Sequence, residues 1–531
     1  MVKHMKQAIP ILATIALVVA VAAVSALAPK DLPPQPLAEL KEQYAKKQTP
    51  SVDHSKFPQL QRAFTRPQEV TEACIGCHNG RHIEVMRSNH WNWEREEYVK
   101  ERGVMYLGKR NTVNNFCLSA AGNELACAKC HAGYGMQSVK TFNFSDPRNI
   151  DCLVCHDGTA TYAKGQNMGG APAPTVNLTK VAQSVGRPTR NNCGVCHFYG
   201  GGGNNVKHAD LEESMFEPTR EVDVHMAVDG ANMQCVDCHI TKKHNIRGQL
   251  YSLSSMNRNR VTCEQCHTGT PHEDDLLNEH TLKVACQTCH IPIYAKVNAT
   301  KTYWDWSTAG KLGDGKPYEE KDAEGNIVYT SMKGTFRWGK SLKPEYVWFN
   351  GTAEHYLLGD KVADPTKPVI LNQFNGSYVD LDAKIFPVKV MRTRQVFDPV
   401  NQMLVALKLF APKPGEGAFW KDFEWVRAAE VGMKERGLPF SGQIAFIETQ
   451  AYWPLNHMVS PKEKALRCTE CHTRQNSRIA SLRDFYIPGR DYSPKVESLG
   501  KWLLILTLFA VAGHGGLRIV VSIRRRAGGK R

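Results

Sequence analysis

Three things are scarce in this chain of 531 residues. Away from its two ends it has no apolar run of the roughly 20 residues that a spanning helix needs, so most of it is not membrane-embedded. Its one glycine run, residues 200–203, is followed by no Gly-Lys-Ser/Thr, which excludes a nucleotide-phosphate loop there. Cysteine outside a single repeated pattern is almost missing: of 17 cysteines only Cys117 stands alone.

The remaining sixteen form eight C-x-x-C-H units. They are Cys74-Cys77-His78, Cys127-Cys130-His131, Cys152-Cys155-His156, Cys193-Cys196-His197, Cys235-Cys238-His239, Cys263-Cys266-His267, Cys286-Cys289-His290 and Cys468-Cys471-His472. This composition would yield about 0.02 copies by chance. The spacing has a chemical reason: two thiols bond the vinyl groups of a porphyrin and bring the next imidazole under its iron. Zinc ribbons and disulfide scaffolds do not require a histidine directly after every C-x-x-C. The pattern therefore implies eight covalently bound c-type haems. The excess of 67 Lys and Arg over 52 Asp and Glu, formally +15, points to nucleic acid only until haem charge is counted. Eight haems with their propionates add about −8 when oxidised and about −16 when reduced, so no nucleic-acid partner is expected.

Residues 1–28 read as a signal peptide or N-terminal anchor, with basic residues up to Lys6 and an apolar run over 8–28. Ala26-Leu27-Ala28 has the small-x-small form of a cleavage site, but Pro29 follows it. Residues 502–523 are apolar and long enough to span a bilayer, and the basic tail 524–531 follows. A cytoplasmic tail puts the haem region on the periplasmic side of a bacterial inner membrane. His514 and Arg518 share one face of that segment, where ionisable groups usually meet a partner or reach the interface.

Between these ends the expected organisation is a linker or strap (29–70), a seven-haem domain (71–290), a haem-free α/β insert (291–467) and an eighth-haem segment (456–498). The expected fold is a mostly α multihaem cytochrome c with long haem-packed loops, a small β-containing insert and a C-terminal transmembrane helix. Apolar residues over 82–102 recur at helical spacing. Residues 326–330, 335–338 and 346–349 read as hairpin strands, and 420–436 as a helix closed by Gly437. Ser460-Pro461-Lys462-Glu463 has the form of a capping box opening a further helix.

The motif histidines supply one axial face of each iron. Of the twelve other histidines, His4 and His514 are terminal and His54 is in the linker, which leaves nine candidates for eight open faces.

The stretches CHNGRHIEVMRSNHWNW (77–93), NNFC…CAKCHAGYG (114–135), DCLVCHDGTATY (151–162), GGGNNVKHADL (201–211), ACQTCHIPIYAK (285–296) and NHMVSPKEKALRCTECH (456–472) closely resemble the octahaem tetrathionate reductase family. The likeness covers roughly residues 70–472. It implies that the second haem is the active one, with His131 proximal, Lys207 as distal ligand, and Cys117 and Asn114 in the pocket. Where the family is expected to carry a carboxylate three residues before the lysine, this sequence has Asn204.

A lysine must be neutral to bind iron, which burial beside a metal achieves. A thiolate at Cys117 would attack an S–S bond through a mixed disulfide, with Phe116 and Tyr134 keeping the site dry. On this reading His90, His208, His225, His244, His272, His280 and His457 complete seven bis-histidine sites, with His355 and His82 in reserve. Electrons would come from a membrane quinol-oxidising partner or another periplasmic donor, and the substrate would be a small inorganic anion. Reduction of nitrite or hydroxylamine at the same haem, and a substrate-free electron conduit, remain open beside tetrathionate reduction.

Overall fold

A computed structural model describes residues 37–48, 50–99, 101–116, 118–248 and 256–528. The export segment, Cys117 and the last three residues of the basic tail lie outside the described residues.

The motif-bearing stretch is built from short helices joined by long loops. Six motifs lie on helices of four to eleven residues, among them Cys235–Cys238, Cys286–His290 and Cys468–Cys471. One helical turn suffices for a motif, because residues three apart share a face and both thiols then point the same way. The strap before the first motif is more structured than its proline content suggests. It holds a helix, α1 (Leu37–Gln48), and two 3₁₀ turns, His54–Lys56 and Pro58–Leu60. The first motif ends α2 (Pro67–Cys77), which Pro67 opens at its first turn. Leu60, Phe64 and Val70 pack with Leu153 and Val181 in a small core between the first and third motifs.

Residues 82–102 do not form the single helix their spacing predicts. Two short helices, Arg81–Met86 and Asn89–Asn92, end at Trp93 in the left-handed region (φ 58°). The chain then turns into an antiparallel hairpin, β1 (Glu94–Val99) with β2 (Gly103–Gly108). Strand alternation in EREEYV and a left-handed Gly103 override the helical periodicity.

The region without motifs holds the expected β-containing insert as a ten-stranded sheet. Its strands are β3 (Thr300–Asp305), β4 (Glu319–Lys321), β5 (Ile327–Thr330), β6 (Gly334–Gly339), β7 (Glu345–Phe349), β8 (Ala353–His355), β9 (Val369–Phe374), β10 (Lys384–Asp398), β11 (Met403–Leu404) and β12 (Ala445–Pro454). They pair in the order β8-β9-β12-β10-β3-β6-β5-β4, with β7 and β11 also on β10. The hairpin expectation is met at β5–β6, whereas β7 pairs with the distant β10. β10 is 15 residues long and almost wholly buried, as a strand covered on both faces must be.

Trp304, Trp306, Phe336, Met391, Leu407, Phe419 and Trp453 form the main hydrophobic core. It also takes in Val113, Phe116, Leu118 and Val206 from the motif-bearing half. Each such side chain contributes about 1.5–3 kcal/mol by leaving water, which ties the two halves together.

The helix expected over 420–436 is broken by Phe423 (φ 57°), and its main part is α3 (Trp425–Arg436), closed by left-handed Gly437. The expected capping box at Ser460 starts no helix, only the 3₁₀ turn Lys462–Lys464. Ser460 Oγ instead accepts a bond from Lys296 Nζ at 2.9 Å. The chain ends in α4 (Pro494–Gly528), 35 residues long. Within it the stretch Pro494–Arg525, in which an 18-residue window reaches a mean hydropathy of 1.9, is long and apolar enough to cross a membrane.

Candidate functional site

Seven motif histidines each face a second imidazole at nearly the same separation. The pairs are His54–His78, His90–His197, His239–His457 and His272–His290 at 6.2 Å between ring centres, His225–His267 and His280–His472 at 6.1 Å, and His156–His244 at 6.4 Å. A metal bonded by Nε2 on both sides at about 2.0–2.1 Å, with each ring centre about 1.1 Å behind its nitrogen, gives about 6.3 Å. The residues therefore fit haem iron at seven sites.

The rings are also held the right way round. Nδ1 of His156, His239, His280 and His472 donates to the carbonyls of Gly186, Arg247, Leu276 and Pro488 at 2.7–2.8 Å. Nδ1 of His244 and His457 bonds Glu84 and Asp210. A proton fixed on Nδ1 leaves Nε2 free for metal.

The structure corrects the expected ligand roster in one place. His54, set aside in the linker, faces His78. His208, expected in the distal set, faces no motif histidine among the described residues and rests edge-on against Trp453 at 5.5 Å. His90, His225, His244, His272, His280 and His457 all stand opposite motif histidines. Of the reserves, His355 is half-buried on β8, its Nε2 buried and unpartnered among the described residues, and His82 lies on the helix Arg81–Met86. Neither is paired with a motif histidine.

His131 is the exception among the eight. No second histidine faces it among the described residues; its ring stacks on Trp91 (5.4 Å) and lies among Trp93, Phe142 and Phe144. Its Nε2 donates to the Trp91 carbonyl at 2.6 Å, and its buried Nδ1 has no partner among the described residues. Ligation through Nε2 thus requires the ring to leave Trp91. Burial pulls its pKa down to about 3. Behind it Lys164 donates to the His131 and Gly133 carbonyls and pairs with Asp151 at 2.9 Å, and Asp151 accepts from Tyr162 at 2.8 Å, all of them buried.

Lys207 lies by this second motif. Burial, with Lys109 adding and the Cys130 thiolate opposing, brings its amine down to about 7. Its Nζ is 4.4 Å from the centre of the Trp453 ring, which also meets Phe116 at 5.6 Å. The loop around Cys117 is fixed from the sheet side. Asn115 donates to Met391 O at 2.7 Å, Thr393 donates to Asn115 O, Gln395 donates to Asn114 O and Trp306 donates to Phe116 O. Asn114 accepts from the Phe116 amide at 3.0 Å. Phe116 is buried as expected, but Tyr134 is buried beside Cys74 and Cys152 and so belongs to the first and third motifs. Asn204, at the expected carboxylate position, accepts from the Glu213 amide at 2.9 Å.

Lys389 was not foreseen. It is fully buried at the centre of β10 and donates to Val206 O (2.7 Å), Lys207 O (3.1 Å) and Thr300 Oγ1 (2.6 Å). It therefore clamps the backbone that carries Lys207. A lone lysine in a strand gives no sequence signal for this.

Cysteines of different motifs touch. Cys74 meets Cys152, Cys130 meets Cys196, Cys193 meets Cys235 and Cys263 meets Cys286. Cys155 and Cys193, Cys238 and Cys266, and Cys289 and Cys471 lie close enough to feel each other's charge. The motifs thus form a continuous series, first-third-fourth-fifth-sixth-seventh-eighth, and the second joins at the fourth.

A chain of covalent haem motifs with opposed imidazoles defines a multihaem c-type cytochrome, a redox protein. Two family descriptions match: "Cytochrome c bacterial" over residues 301–475 and "Cytochrome c554 and c-prime" over residues 192–268. The crystal structure titled octaheme cytochrome c from Shewanella oneidensis is 41% identical. It superposes with a TM-score of 0.76 over 83% of this chain and 98% of that one. An uncharacterised protein of Archaeoglobus fulgidus is 24% identical over 243 residues, 36% of this chain and 80% of the relative. The chain belongs to the octahaem cytochromes c and carries c-type haems on its C-x-x-C-H motifs.

Proposed function

We propose that this chain is a periplasmic, membrane-anchored oxidoreductase that cleaves tetrathionate to two thiosulfates at the second motif. One observation carries the choice of site: among the described residues seven motif histidines face a histidine across a metal-sized gap, and His131 does not. Lys207, with an amine brought down to about 7, is beside the same motif and is assigned as the distal ligand. The pairs His54/His78, His90/His197, His156/His244, His225/His267, His239/His457, His272/His290 and His280/His472 are assigned as bis-histidine sites.

Haems held by these motifs would supply one-electron storage, with His131 and Lys207 the residues that would hold the iron at the second motif. The protein's own residues do the rest. Lys109, whose charge reaches Lys207, makes the pocket attractive to a dianion. The Cys117 thiolate attacks one sulfur of the central S–S bond, forming a Cys–S–S–SO₃⁻ mixed disulfide and expelling thiosulfate. Breaking that mixed disulfide takes two electrons, which bound haems would supply, and it releases the second thiosulfate and restores the Cys117 thiolate with no net proton. α4 is the anchor, the electron donor is a membrane quinol-oxidising protein, and the basic residues of 524–531, which follow the apolar stretch, keep that end cytoplasmic.

Reduction of nitrite or hydroxylamine is the second reading, because such chemistry consumes protons. The buried Tyr162–Asp151–Lys164 chain behind His131 favours it.

The deciding experiment is Lys207→Leu with spectroscopy of the oxidised protein. One haem in eight should turn high-spin, with loss of tetrathionate turnover. If every haem stays low-spin, the lysine is no ligand and the conduit reading gains.

A further inference from the structure

The eighth motif is where the chain leaves for α4, and little slack separates them. Nδ1 of His472 donates to Pro488 O at 2.8 Å. The Arg490 guanidinium donates to the carbonyls of Ile479, Leu482 and Phe485. Arg474, two residues after the motif histidine, lies over Tyr492 at 4.3 Å and bonds Glu497, in the first turn of α4, at 2.6 Å.

On the other side of the pair, Lys283 follows His280 by three residues. It donates to Tyr378 O (3.1 Å) and Asp380 O (2.6 Å). The loop so held presents Val379 and Leu381, 83% and 88% exposed. Tyr378 stacks on Phe485 at 5.2 Å, and the next residue, Tyr486, is 70% exposed. Large apolar side chains gathered in water beside a functional group mark a contact surface. This one adjoins the helix that is apolar enough to cross a membrane. The eighth motif is also an end of the series of neighbouring motif cysteines, and the second motif is reached from it through the fourth.

We infer that the surface around Val379, Leu381 and Tyr486 docks the periplasmic face of a membrane-embedded electron donor, and that electrons enter at the His280–His472 site. The inference rests on the anchored reading of α4. Each entry oxidises a one-electron centre of the donor and takes one ferric haem to ferrous, with no bond made or broken. Two entries match the two electrons of one quinol, whose two protons leave through the donor. A lipid surface alone would satisfy the apolar residues but supplies no electron, so a redox protein is the occupant this position favours.

The test uses the full-length chain in host membranes and follows haem absorbance after a quinol is added. V379E/L381E should slow quinol-driven haem reduction tenfold or more, with haem content, dithionite reduction and membrane retention equal to the parent. V379S/L381S, less disruptive to folding, should slow it threefold or more. Unchanged quinol-driven reduction in both variants overturns the inference while leaving the anchor intact. Loss of membrane retention in either variant makes the patch a lipid contact and also overturns it. If the parent chain itself washes from the membranes with carbonate, the anchored reading fails and the inference fails with it.

Discussion

The motif-bearing half and the sheet solve opposite problems. Residues 50–290 place ligands with single helical turns and Nδ1 bonds, and most of their apolar contact surface is left for porphyrin. The sheet carries no motif and holds the largest core of the molecule. Its longest strand, β10, contacts the two segments that matter at the second motif: Met391, Thr393 and Gln395 hold the loop around Cys117, and Lys389 holds the backbone of Lys207. Ligand pairs made within the motif-bearing half are alike. The site that departs from them lies where the sheet reaches in. The motif histidine that faces no second imidazole among the described residues thus sits where a second, unrelated scaffold reaches in.

Breaking the division at its seam should give the largest effect. Cys117→Ser leaves every ligand in place and removes the sulfur nucleophile, so tetrathionate turnover should fall by two orders of magnitude or more. Nitrite or hydroxylamine turnover, measured on the same preparation, should be largely kept. An equal fall for all substrates would make Cys117 structural.

Lys389→Met tests whether the sheet positions the pocket. It leaves the Val206 and Lys207 carbonyls buried without a donor, at a cost of about 1–3 kcal/mol each. High-spin character should appear in one haem with the other seven unchanged, and Lys389→Arg should not restore the parent spectrum because the bulkier guanidinium does not fit a fully buried site. A uniform change in all eight haems would reduce Lys389 to a stability role.

Acidification sharpens the contrast between lysine and histidine ligation. The amine of Lys207, brought down to about 7 by burial, is neutral above that pH and protonated below it. Iron competes with the proton, so ligand loss starts below 7. An acid titration of the oxidised protein should therefore convert one haem to high-spin before any of the bis-histidine haems.

The smallest effect is expected farthest from the seam. His514 and Arg518 lie exposed on α4, and replacing both with Leu should lower quinol-driven turnover several-fold without touching dithionite-driven turnover. An unaffected quinol rate would mean that Arg518 reaches the membrane interface and contacts no partner.

The class of cofactor was legible in the sequence, because a C-x-x-C-H unit is a local signal that survives any fold. It placed most opposing histidines by count but exchanged His54 for His208. No local pattern marks a distal ligand, and His54 meets His78 only because the strap folds back over α2. The helix read over 82–102 failed where strand pairing overrode periodicity, and the order of the sheet was not legible because its strands pair across long separations, as β7 does with β10. Lys389, Trp91 and Trp453 were invisible for the same reason: each acts on a segment distant in sequence.

The interleaving of ligands sets an order of assembly. The imidazole that faces His239 is His457, more than 200 residues later in the chain. A chain threaded outward from its N-terminus exposes the fifth motif long before its proper partner emerges. Until then, histidines nearer in sequence, such as His225 or His244, are the available occupants, and a short loop closes at lower entropic cost than a long one. Until the C-terminal segment arrives, the fifth motif is without the imidazole that faces it in the finished fold. The fifth site is the place to look for the slowest step in acquiring the final haem spectrum.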